Sequence, residues 1–291
     1  MRVVDHFDLI VGTSTGGIIA LGLGVGMAPA EIVELYVNGK DTIFPPARRR
    51  LYRKPAALFG AKYRPDGLAA AVTDAFGDKL MCDSTVPLVV PSFDLGQRAV
   101  HLFKTPHNKR LVRDWRVRMA DVAMATTAAP TYFPAFELPD DHVRLIDGGV
   151  WANNPSTVGV TEAVSLMGQQ LENIRLLNIG TTTSTAIRSR RLDQGGLWHW
   201  IRSPHVVDVL LAGQSIGAFN QAQHLIGPRN AWRLDPPAPK ELVQLDRADS
   251  RDLIGAAAHY SRRFGPTFTE HFAGHARHSY SPLHTREELD R

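Results

Sequence analysis

Leu9 to Ala30 is a run of 22 residues without a single charge, and a segment that apolar has to be buried somewhere. It is long enough to span a bilayer, and Ala28-Pro29-Ala30 imitates a signal-cleavage site. Two features argue for a folded interior instead. Six glycines and the polar triplet Thr13-Ser14-Thr15 interrupt the run, and Asp5 and Asp8 stand where a signal peptide carries positive charge. The run therefore reads as a buried strand over Phe7 to Val11, a tight turn, and a helix over Ile18 to Val25 packed on all sides.

Downstream, strand and helix signals alternate. Pro29 opens a helix through Val37, and Pro65-Asp66 opens another through Phe76. Val86 to Phe93 and Ala99 to Phe103 read as strands joined by the turn Asp94-Leu95-Gly96-Gln97. Met119 to Thr127 reads as a helix stopped by Pro130, and Val143 to Ile146 as a strand ending at Asp147-Gly148-Gly149. Asn154-Pro155 caps a helix through Met167, and Ile174 to Ile179 is a further strand. Thr181 to Gly196 reads as a surface loop, and the remainder as mainly helical. Alternation of this kind predicts a layered α/β/α domain with a mostly parallel central sheet. Residues 1–180 form its core, and 181–291 a mainly helical part of the same domain.

Gly12-Thr13-Ser14-Thr15-Gly16 places a serine between a strand and a helix, the context of a nucleophile elbow. Gly12 and Gly16 flank it at two residues on either side, leaving room for a sharp turn. The free Thr15 and Gly16 N–H groups at the helix N-terminus are expected to stabilise a developing oxyanion. A serine hydroxyl needs a base. One candidate is a histidine among those from His199 to His284, in the order Ser, Asp, His; none closes a strand. The other is Asp147, which ends a strand and is followed by Gly148 and Gly149. Carboxyl ends of sheet strands share a rim, which puts Asp147 on the same rim as Ser14.

Phe7 to Gly17 resembles the nucleophile segment of patatin-like phospholipases. Ala128-Ala129-Pro130-Thr131-Tyr132-Phe133-Pro134 resembles a second segment of that family, and Asp147-Gly148-Gly149-Val150-Trp151-Ala152-Asn153-Asn154-Pro155 its aspartate segment. The resemblance implies a Ser–Asp dyad with Ser14 as nucleophile and Asp147 as base, an elbow built on Gly12, Thr15, Gly16 and Gly17, and an aspartate loop of Gly148 and Gly149. It implies phospholipid acyl-ester hydrolysis of the phospholipase A type through an acyl-enzyme, with no cofactor and no metal. The family's D-G-G-G-x-R-G oxyanion loop has no counterpart in these residues. The expectation is an N-terminally shortened domain lacking its first strand and hydrolysing esters poorly. A catalytically impaired lipid- or nucleotide-binding module and a Ser–His–Asp esterase are the alternatives.

Charge narrows the partners. The net charge of +4 over 291 residues is too small to require a nucleic-acid polymer. A single cysteine, Cys82, excludes an internal disulfide framework and a Cys-rich zinc site. Residues 42–65 hold Arg48, Arg49, Arg50, Arg53 and Lys54 among aromatic side chains, with no acid after Thr42, and read as an anionic-surface loop for a phospholipid membrane. A second cluster, Lys104, Lys109, Arg110, Arg113, Arg116 and Arg118 beside His101 and His107, is expected to hold phosphates. Trp198 and Trp200 around His199 read as core or interface aromatics. The chain also resembles, more loosely, the bacterial anti-phage effectors of this family that cyclic nucleotides switch on. The expected setting is the cytoplasm, with peripheral attachment to membrane when active.

Overall fold

The computed structural model describes residues 2–44, 61–139, 142–181, 183–184, 206–238 and 250–289. The chain forms two compact units, Met1–Gln169 with His275–Arg291, and Gln170–Gly274. The first unit thus ends near residue 169 and recovers the last 17 residues, whereas the sequence suggests a boundary near 180 with a continuous C-terminal part. The recovery has physical causes. Arg277 N–H donates to Asp5 O at 2.8 Å, Leu283 N–H to Pro106 O at 2.9 Å, and the Arg286 guanidinium pairs with Asp83.

In the first unit a short 3-10 turn, Val3–His6, leads into β1 (Ile10–Val11). The charge-free run then splits as its glycines dictate, into β1, a turn and α1 (Thr15–Gly24). Among the described residues no helix is long and apolar enough to cross a membrane. The helices α2 (Pro29–Ile43) and α3 (Asp66–Phe76) follow. Gly77, at φ +52°, stops α3 in a conformation that L side chains resist. Next come β2 (Leu88–Asp94), β3 (Ala99–Lys104), α4 (Met119–Thr126), β4 (Phe136–Glu137), β5 (Arg144–Asp147), the short α5 (Gly149–Ala152) and α6 (Ser156–Ser165).

The α/β expectation holds, and the sheet is mixed in direction. β1 pairs with β2 in parallel, whereas β2–β3, β2–β5 and β4–β5 are antiparallel. β3 covers one edge of β2 from Val89 to Asp94. β1 and β5 therefore share the other edge, β1 along Leu88–Val89 and β5 along Ser92–Asp94. The two strands approach each other head to head, carboxyl end to carboxyl end, with Val90 and Pro91 spanning the interval. Proline fits there because no partner strand asks that position for an N–H. Leu21 of α1, Leu88 and Val90 of β2, Phe103 of β3, Val122 of α4 and Leu145 of β5 are fully buried around this junction. Each contributes about 1.5–3 kcal/mol by leaving water, so the packing holds both strand ends in place.

The second unit contains two parallel strand pairs. β6 (Leu176–Ile179) lies beside β8 (Ala231–Leu234), and β7 (Thr183–Ser184) beside β9 (Pro237–Ala238). Its helices are α7 (Val206–Ile226) and α8 (Ser250–His271). Trp232 packs here between His271 and Phe272.

Candidate active site

Ser14 sits just past the end of β1 with φ +58° and ψ −125°. A non-glycine residue held there stores about 1–3 kcal/mol of backbone strain. Its neighbours hold it in place. The Ser14 N–H donates to Thr126 Oγ1 at 3.0 Å, and the Thr126 hydroxyl donates onward to Pro91 O at 2.6 Å. The Thr13 hydroxyl donates to Ala152 O at 2.7 Å, and the Tyr36 hydroxyl to Thr15 O at 3.0 Å. Ser14 O accepts from Gly17 and Ile18 N–H, which starts α1 directly behind the serine.

The Ser14 hydroxyl donates to Asp147 Oδ2 at 2.6 Å. The other carboxylate oxygen accepts from Gly149 N–H at 2.7 Å, and Asp147 N–H donates to Ala128 O at 3.0 Å. The segment Ala128 to Pro134 thus supplies a backbone anchor for the aspartate. Asp147 is only 6% exposed, and burial pushes its carboxyl up from 3.8 to about 6, partly offset by the hydrogen bonds from Ser14 and Gly149. A carboxylate near that value can take and return a proton close to neutral pH. Ser14 and Asp147 meet in mid-sheet, where β1 and β5 converge on one edge of β2. They do not lie on a common rim, because β5 runs antiparallel to β2.

The glycines divide differently from the symmetric expectation. A Cβ on Gly12 would lie 2.0 Å from Gly16 O, and one on Gly17 would lie 2.7 Å from Thr126 Cγ2. A Cβ on Gly16 would meet nothing within 4 Å, so the close approaches of the elbow belong to Gly12 and Gly17. Nor is the Gly16 N–H free, because it donates to Thr13 O at 2.9 Å. Among the described residues the Thr15 N–H has no acceptor in the chain, and it alone of the two expected donors can serve an oxyanion. Gly148 lies against β2, where a Cβ would come 2.3 Å from Pro91 O. Gly149 holds the carboxylate through its N–H.

Among the described residues no histidine bonds Ser14 or Asp147. His199 and His205 lie outside those residues, as do Trp198 and Trp200. So do Arg48, Arg49, Arg50, Arg53 and Lys54, and most of the expected loop from Thr181 to Gly196. Part of the second basic cluster is paired within the protein. Lys104 and His107 both pair with buried Glu162, Arg113 with Asp114, Arg118 with Asp121, and Arg116 lies over the Trp115 ring. Lys104 and His107 are thereby withdrawn from an open phosphate cradle. Thr126 escaped the sequence reading. The available signal was a polar residue ending a helix whose every residue from Met119 to Thr126 is buried.

Comparison with known proteins gives a consistent picture. A family model described as patatin-like phospholipase matches residues 2–158. A protein of Vibrio cholerae named cGAMP-activated phospholipase is 36% identical over 94% of this chain and 82% of its own length. A Pseudomonas aeruginosa protein of the same name is 31% identical over 87% of this chain and 75% of its own. Patatin-like protein 1 of Oryza sativa subsp. indica is 29% identical over 74% of this chain and 59% of its own.

Proposed function

We propose that this chain, which belongs to the patatin-like phospholipase family, is a serine acyl hydrolase that releases fatty acid from phospholipids through Ser14 and Asp147. The observation that carries the reading is the 2.6 Å hydrogen bond from a strained serine at the head of α1 to a buried carboxylate that has no cation beside it among the described residues.

In this mechanism Ser14 Oγ attacks the ester carbonyl as its proton passes to Asp147 Oδ2. The carbonyl oxygen becomes an oxyanion, which the Thr15 N–H and the N-terminus of α1 stabilise. Collapse of the tetrahedral species expels the lysophospholipid alcohol, which takes the proton back from Asp147. Water then gives a proton to Asp147 and attacks the acyl-serine, and the fatty acid leaves with the Ser14 hydroxyl restored. Burial of Asp147 favours this cycle, because a carboxyl raised to about 6 is a stronger base than an exposed one and is still mostly ionised at pH 7.

The names of the Vibrio cholerae and Pseudomonas aeruginosa relatives support a cyclic-nucleotide activator for this chain as well. The run from Arg48 to Lys54 supports work at an anionic membrane surface, with the protein attached peripherally from the cytoplasm.

The test is fatty-acid release from phosphatidylglycerol vesicles, with and without cGAMP, together with fluorophosphonate labelling of the serine. Ser14→Ala should abolish both, and Asp147→Asn should lower release about 10²–10⁴-fold. Undiminished turnover in Asp147→Asn would move the base role to another group. Vesicle binding without release or labelling, with cGAMP present, would leave a binding module in place of an enzyme.

A further inference from the structure

Outside the Ser14–Asp147 pair, one cluster of ligating side chains stands out in the first unit. Asp8, His275 and His278 offer one carboxylate oxygen and two ring nitrogens that all lie within 4.8 Å of one another. We infer that these three residues form a binding site for a divalent transition-metal ion of the zinc class, which clasps the end of the chain to the segment entering β1.

The donor set has the right chemistry. Two imidazoles and one carboxylate, with a further position left for water, is a recurrent arrangement for zinc and its neighbours. His275 Nε2 lies 2.8 Å from Asp8 Oδ2, and His278 Nδ1 lies 2.9 Å from Asp8 Oδ1. A tetrahedral ion with bonds of about 2.0–2.2 Å holds its donors about 3.3 Å apart. The Asp8 contacts therefore open by about half an ångström, and the two rings, 40% and 84% exposed, have the freedom to turn onto a common centre. As placed, each ring nitrogen shares a hydrogen with the carboxylate. When the metal takes that nitrogen, a neutral ring carries the hydrogen on its other nitrogen, and Asp8 becomes a ligand in place of an acceptor.

The surroundings hold the ligands ready. His278 N–H donates to Asp8 Oδ1 at 2.7 Å, His6 Nδ1–H donates to His275 O at 2.7 Å, and Arg277 N–H to Asp5 O at 2.8 Å. The Arg277 guanidinium, between the two histidines in sequence, is engaged by the Thr85 carbonyl. Two stretches 267 residues apart in sequence are thus joined by backbone and side-chain hydrogen bonds, with the three ligands at the seam.

The site can be tested on the full chain, with any affinity tag removed, by titrating ZnCl2 in competition with a chromophoric chelator at pH 7.5. The expected result is one zinc per chain, and a thermal midpoint that rises as zinc is added. Asp8→Asn and His278→Ala should each weaken binding about tenfold or more. His142→Ala, an exposed histidine paired with Glu137 elsewhere in the unit, should leave it unchanged. His278 is 84% exposed, so its removal leaves packing intact, and a melting curve on each variant verifies the fold. Cobalt(II) should give visible d–d absorption in the parent chain and lose it in His278→Ala. Absence of saturable binding below about 0.1 mM, or an affinity in Asp8→Asn and His278→Ala equal to that of the parent chain, would overturn the assignment.

Discussion

Replacing Asp147 by asparagine should make the protein more stable at alkaline pH and no more stable in acid. The carboxyl is raised from 3.8 to about 6, with burial the leading cause. Between those values the unfolded chain has released its proton while the folded chain still holds it. Stability from this group is therefore fully present below 3.8 and is lost as pH rises through about 6. The interval from 3.8 to about 6, at 1.36 kcal/mol per pH unit, amounts to about 3 kcal/mol. Asparagine never ionises, yet it can keep both contacts, its oxygen accepting from Gly149 N–H and its amide donating to Ser14 Oγ. The two proteins should melt alike at pH 4. By pH 8 the asparagine form should lead by about 3 kcal/mol, or about 6–12 °C in Tm for a chain of this size. Parallel thermal melts at pH 4, 5, 6, 7 and 8 measure the difference directly, since every other titrating group cancels between the two chains. A difference that does not grow with pH, or an asparagine form that is weaker at pH 8, would refute the claim that the buried charge is held against its own preference.

Two further substitutions separate the parts of the elbow. Gly12→Ala drives a Cβ to 2.0 Å from Gly16 O and should cost more than about 3 kcal/mol or prevent soluble expression, whereas Gly16→Ala meets open space and should add about 0.5–1 kcal/mol in urea unfolding by removing a helical glycine. Thr126→Val removes the acceptor of the Ser14 N–H and the donor to Pro91 O, so it should destabilise by about 1–3 kcal/mol and slow fluorophosphonate labelling of Ser14. Unchanged labelling in that variant would mean that the turn holds its geometry without the threonine.

Local signals carried much of the fold. Pro65 and Gly77 bracket α3, and α4 and β3 fall within a residue of where apolar runs and turns put them. The proximity of Ser14 and Asp147 was legible too, but through motif resemblance and not through the rim argument. The direction of β5 depends on the β4–β5 pairing, whose connection includes His142 at φ +52°, and nothing in the strand's own residues encodes it. β1 is shorter than the apolar run because Asp8 is claimed by His275 and His278 from the far end of the chain. The basic residues around Lys104 looked available because Glu162, which pairs with Lys104 and His107, lies 58 and 55 residues away from them. In each case the deciding partner is remote in sequence, and local pattern is blind to it.

The head-to-head meeting of β1 and β5 has a consequence for synthesis. Ser14 leaves the ribosome before its carboxylate, which follows 133 residues later. Until β5 has emerged and paired with Ser92–Asp94, the serine has no acceptor for its proton. Under the proposed mechanism, a chain that stops short of β5 carries Ser14 without its base. The pairing that completes the sheet is thus also the pairing that brings the proposed base to the proposed nucleophile.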